Sequence, residues 1–279
     1  MKFDFFTFGG FLFWEDVFFY QKWRIQRHCI TKKYRLLDSW DIRRESGTFE
    51  ECQKAFIECI GCYEITKQPK HMVILLHGYM DSKNIFKKLW RKLILTKSSV
   101  AALNYPSMFR NSVATAHQLL FFLNHADDIE EVSFVTKGCG NLVLRQALDL
   151  PYEMQSFRNT MRIRNIVEIN PVVKGSIICD LLSRFKFFNF ILGPMISDMT
   201  EKKINNLPNV PSEINSLRIF STSIASKLII KFLKICKFPT DNFDIIDKEA
   251  LFIEGNTFKT LENEMVLNSV VNFINNGKI

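Results

Sequence analysis

Two rhythms of apolar and polar positions run along this chain. From His71 the chain runs apolar to Leu76, as a parallel strand covered on both faces requires. Lys83 to Leu95 then reads as a helix and Val100 to Leu103 as the next strand. Ser112 to Asn124 is a second helix, with Val113, Ala116, Leu119, Leu120 and Leu123 on its inward side. Val132 to Thr136 is a strand and Asn141 to Leu148 the helix that follows it. Ile166 to Ile169, Leu217 to Phe220 and Leu251 to Ile253 read as further strands, and Asn263 to Asn275 as the last helix. Upstream, Gly47 to Cys62 reads as a helix capped by Thr48, with Phe49, Cys52, Phe56 and Cys59 at helical spacing. Alternation of this kind predicts an α/β fold: a mostly parallel, doubly wound sheet with right-handed crossovers and helices on both faces.

Three segments break the rhythm. Phe5 to Trp14 is apolar, Glu15 and Asp16 interrupt it, and Val17 to Tyr20 resumes it, too short for the ~20 residues of a spanning helix. Lys22, Arg24, Arg27, Lys32, Lys33 and Arg35 follow. Residues 1–33 therefore read as an aromatic and basic arm, suited either to an anionic membrane interface or to docking as a helix on its own domain. Residues 34–279 read as one domain. Within it, Ile177 to Leu192 is dense in Leu and Phe, and Lys227, Lys231 and Lys234 line one side of an apolar helical stretch. Both fall in lid-like segments (about 177–200 and 225–238) that face lipid or pack on the sheet beneath a solvated lysine stripe.

Composition changes this picture only a little. At 279 residues, 47% hydrophobic and 24% charged, the chain is an ordinary globular one. The 27 Phe fit AT-rich coding as well as function, so no single Phe carries weight. A net charge of +8 favours anionic surfaces, yet no nucleic-acid-binding signature accompanies it, so lipid is the expected partner rather than nucleic acid. Seven irregularly spaced cysteines fit reduced thiols and a cytoplasmic setting, peripheral at a membrane face if the arm attaches there. Cys59 and Cys62 lack the partners a zinc site needs, and no Gly-rich phosphate loop or clustered ligand set implies a metal or cofactor.

The chemistry concentrates at Thr136-Lys137-Gly138-Cys139-Gly140, between a strand and a helix. Val73-Ile74-Leu75-Leu76-His77-Gly78-Tyr79 is similar to the strand and His-Gly turn of α/β-hydrolases. Leu103-Asn104-Tyr105-Pro106-Ser107 resembles the "D/N-Y-P-S" of a bacterial lipase/esterase-like branch of that superfamily. Ser133 to Val143 is similar to that branch's "S-F-V-T-H-S-L-G-G-L-V", and Gly255-Asn256-Thr257-Phe258 to its "S/G-H-T-F". Trp23 to His28 and Arg35 to Asp38 also look familial, so the resemblance runs from about Trp23 to Gly277.

The resemblance implies an α/β-hydrolase fold with an unusual site. Gly138 stands at the nucleophile position and Asn256 at the histidine position; Asp241 holds the acid position, with Asp244 and Asp247 nearby. Lys137 and Asn141 replace a His and a Gly of the motif. Backbone amides of Cys139 and of the Gly78-Tyr79 turn would form the oxyanion hole. The superfamily orders its triad Ser, acid, His, yet His28, His71, His77, His117 and His125 all precede the elbow. The implied reading is a lipase/esterase-like protein without turnover that binds a lipid, an acyl chain or a partner. The alternative is an ester hydrolase with a relocated nucleophile, Cys139 or a serine such as Ser107, for which His77 is the one nearby base.

Overall fold

The computed structural model describes residues 13–184, 186–222, 250–254 and 257–278. Six strands form the main sheet: β5 (His71–Leu76), β6 (Ser99–Leu103), β7 (Glu131–Lys137), β8 (Arg162–Ile169), β9 (Asn215–Thr222) and β10 (Ala250–Glu254). Their order is β10-β9-β8-β7-β5-β6, and every neighbouring pair is parallel. Side chains alternate across the sheet and so divide the core in two. Met72, Ile74 and Leu76 pack with Phe134 and with helices α3 (Ser112–Asn124) and α4 (Gly140–Asp149). Val73 and Leu75 pack with Val135 and Val167 against α2 (Lys87–Leu93) and α7 (Glu264–Asn276).

The strands and helices expected from the apolar rhythm all appear, with differences at their ends. Lys83–Phe86 is a tight 3₁₀ turn leading into α2. Val113, expected inward, is exposed at the start of α3, while Ala116, Leu119, Leu120 and Leu123 are buried. Helix α1 (Phe49–Cys62) begins at Thr48, whose hydroxyl accepts the Glu51 N–H while the Glu51 carboxylate accepts the Thr48 N–H. Cys59 and Cys62 lie in its last turn.

The N-terminal region departs from expectation. Residues 14–47 form a separate antiparallel sheet rather than an arm or a docked helix: β1 (Trp14–Tyr20), β2 (Trp23–His28), β3 (Tyr34–Leu37) and β4 (Arg43–Gly47), paired in chain order. A two-residue turn, Gln21 and Lys22, joins the first hairpin, both at positive φ as a right-twisted hairpin demands. The arginines of this segment turn into the fold and the lysines do not. Arg27 Nε lies 2.5 Å from Glu15, and Arg35 bonds Gln26 and stacks 3.8 Å above the Trp14 ring. Lys22, Lys32 and Lys33 remain exposed. No helix among the described residues is long and apolar enough to cross a membrane.

The two sheets meet through one buried carboxylate. Asp16 accepts the Gln26 Nε2–H at 2.7 Å and the Asn104 backbone N–H at 2.6 Å, while its own N–H donates to Asn104 O at 2.9 Å. Gln118 of α3 donates to Asp16 O at 2.7 Å, and the Asn104 side chain donates to Trp14 O at 3.1 Å. The Asn104 of the Asn-Tyr-Pro-Ser run thus docks the small sheet. Asp16→Ala strands the buried Gln26 and Asn104 donors and is expected to lower unfolding free energy by about 3 kcal/mol. Urea denaturation measures it, and a loss below about 1 kcal/mol would mean that apolar contacts alone hold the sheets together.

Candidate functional site

The site is built where β7 turns into α4. Gly138 sits at φ +52°, its N–H donates to Ile169 O at 3.0 Å, and its carbonyl accepts the Asn141 N–H at 3.2 Å. Side chains are strained in this left-handed region, which glycine enters freely. Space is not the constraint: a Cβ on Gly138 would meet nothing nearer than Gly78 Cα, 3.8 Å away. Gly140 is the opposite case. A Cβ there would lie 2.5 Å from Leu76 O and 2.8 Å from His77 O, so α4 rests directly on the end of β5.

Opposite the elbow stands the turn after β5. Lys137 Nζ lies 2.9 Å from Asp81 Oδ2 and ties the two turns together. Met80, at φ +56°, donates its N–H to Ser107 Oγ at 3.1 Å. Among the described residues the N–H groups of Cys139 and Tyr79 meet no backbone acceptor. The Tyr79 hydroxyl donates to Leu192 O, at the end of two short helices, α5 (Ile177–Ser183) and α6 (Lys186–Leu192), in the segment expected to be lid-like. Gly193 follows at φ +79°, against the Met108 carbonyl, where any side chain would collide.

His77 is held as a structural group. Its ring is fully buried and stacks on Tyr105 with centroids 3.9 Å apart. Nδ1–H donates to Gly78 O at 2.8 Å, and Nε2 accepts the Tyr105 N–H at 3.4 Å, so both nitrogens are engaged. Burial pushes its pKa down to about 4. Cys139 is buried in the apolar cluster with Leu142 and Val143, and burial, reinforced by Asp81, pushes its thiol up to about 12. His71 lies at the far end of β5 between Ser98 and Ser133, about 17 Å of strand from the elbow. His28 accepts turn N–H groups, His117 is exposed on α3, and His125 stacks on Phe121.

Asp241, Asp244, Asp247, Asn256 and the Lys227–Lys237 stretch lie outside the described residues. The turn just beyond, residues 257–262, is tied to the sheet: Asn170, which follows β8, donates to Ser221 Oγ at 2.9 Å and to Thr260 Oγ1 at 3.0 Å. That joins the chain after position 256 to the same end of the sheet as the elbow. Sequence reasoning missed a buried chain under α4, in which Asn141 Nδ2 and Arg218 Nε (2.6 Å) both donate to the Glu168 carboxylate. The one available signal was a Glu inside an apolar strand.

No protein-family model and no curated protein sequence matches this chain. Among solved structures it is similar to Aspergillus fumigatus lipase B (17% identity, TM-score 0.42), over 55% of this chain and 38% of that one. It is also similar to a metagenomic carboxyl esterase (11%, TM-score 0.46, 68% and 65%). Tomato methylketone synthase I complexed with 2-tridecanone is a third (14%, TM-score 0.47, 74% and 98%). The chain thus spans well under half the length of the fungal lipase. The α/β-hydrolase fold is identified by this chain's own strand order and elbow.

The two elbow glycines should respond differently to substitution. Gly140→Ala is expected to cost about 3 kcal/mol and Gly138→Ser about 1 kcal/mol, measured by urea denaturation; the reverse order would contradict the geometry. His77 also gives stability a pH dependence. The unfolded chain binds a proton near pH 6.5 that the folded one refuses until about 4, so stability should fall as pH drops through that window. A His77→Asn variant, compared with the wild type at pH 7 and pH 4.5, should lose that part of the slope.

Proposed function

We propose that this chain is a lipase/esterase-like α/β-hydrolase-fold protein that retains the elbow without a working triad, and that it acts by binding an acyl or lipid ligand. One observation carries the reading: the residue at the left-handed corner is Gly138, with open space where a nucleophile would project. All five histidines precede that corner in the chain, so no base follows an acid in the triad order. Without nucleophile and base, a hydrolase retains at most the ~10³–10⁴-fold rate over water that binding and an oxyanion hole supply.

The relocated-nucleophile alternative has little support. A thiol held near pKa 12 is almost wholly protonated at neutral pH, and only the thiolate attacks. His77 has no free nitrogen to activate it. The Ser107 hydroxyl is buried and serves the Met80 turn. Two phenylalanines of the lid-like segment point outward, Phe190 at 89% and Phe187 at 68% exposed, which supports a lipid-like ligand or a membrane surface.

Purified protein is expected to hydrolyse a short-chain aryl ester no faster than background, and Cys139→Ala should behave identically. Gly138→Ser alone should not restore turnover, for want of a base. Turnover in the wild type that disappears in Cys139→Ala would overturn the proposal and make the elbow thiol the nucleophile.

A further inference from the structure

A cleft away from the elbow lies between the small sheet and α2. Its volume is about 330 Å³, near the lower end for small-molecule sites. Lys22 and Arg24 enter it from the first hairpin, Asp41 from the turn before β4, and Lys83, Lys87 and Trp90 from the α2 side. Four cations therefore face one carboxylate. Two of the cations are deeply placed, with only 14% of the Arg24 side chain and 15% of the Lys83 side chain exposed.

The internal partners are poor. Arg24 Nε is 3.6 Å from Asp41 Oδ1 and Lys83 Nζ is 3.5 Å from Asp41 Oδ2, at or beyond the limit of hydrogen bonding. Arg24 Nε and Nη1 are buried and find no acceptor among the described residues. Burial, then the neighbouring Arg24 charge, lowers the Lys83 pKa; the attraction of Asp41 and of the buried Asp16 only partly offsets this. Buried donors without acceptors and adjacent like charges both cost stability. An external anion would relieve both. A guanidinium offers a planar fork of donors that matches phosphate oxygens, and a buried ammonium adds a point charge. Trp90 forms an aromatic wall of the same cleft, with Lys22 Nζ 5.5 Å from its ring centroid.

We propose that this cleft is a binding site for a phosphomonoester, its phosphate held between Arg24 and Lys83 and its remaining body lying against Trp90. The site is independent of the elbow and of whether the elbow turns over esters. The phosphate could belong to a soluble phosphoester or to a lipid headgroup, and the test separates the two.

Thermal unfolding and tryptophan fluorescence are followed against inorganic phosphate at constant ionic strength, for the wild type, Arg24→Met, Lys83→Met and the exposed control Lys88→Met. Co-sedimentation with vesicles containing phosphatidic acid completes the set. Wild type and Lys88→Met should bind equally, with a rise of several degrees in Tm at a hundredfold excess over Kd. Arg24→Met and Lys83→Met should bind at least tenfold more weakly while unfolding no earlier than the wild type in phosphate-free buffer, since each removes an uncompensated charge. Vesicle retention lost in both variants identifies a headgroup; a phosphate response without retention identifies a soluble phosphoester. Absence of both responses in the wild type, or survival of either in both variants, overturns the site.

Discussion

The structure turns on the contact between Gly140 and the carbonyls of Leu76 and His77. Helix α4 can lie on the end of β5 only because that residue has no side chain. From that approach the rest of the elbow follows: the chain must reverse from strand to helix within two residues, which forces Gly138 into the left-handed region. The same approach sets Cys139 at the helix start, beside the turn that carries Gly78 and Tyr79. Chemistry-bearing positions are thus fixed by a backbone contact that itself carries no chemistry.

A second constraint joins the N-terminal sheet to this frame. Asp16 bonds both backbone groups of Asn104, just past the end of β6. Asn104 is followed by Tyr105, whose ring covers His77, and by Ser107, which holds Met80. One short run of residues therefore touches the small sheet, the buried histidine and the turn opposite the elbow.

Much of this was legible in the sequence. Strands of the main sheet announce themselves as apolar runs bounded by polar turns, and the spacing of Phe49, Cys52 and Phe56 behind Thr48 located α1. The N-terminal sheet was not legible, because β1 is buried along nearly its whole length and so lacks a period of two. Its hairpin turn, Gln21-Lys22, also lacks the Asn-Gly signature of such turns. The Lys137–Asp81 pair and the Asn141–Glu168–Arg218 chain join positions from 27 to 56 residues apart, which no local pattern discloses.

Gly138 has a consequence for how such a protein changes over generations. With glycine at the corner, the turn is relaxed, and the backbone exerts no preference for a reactive residue there. Under the function proposed above, a serine gained by a single substitution would bring strain and, with no histidine later in the sequence, no rate advantage to be selected. On that reading the elbow behaves as a ratchet: neither a serine nor a histidine alone rewards the step toward catalysis.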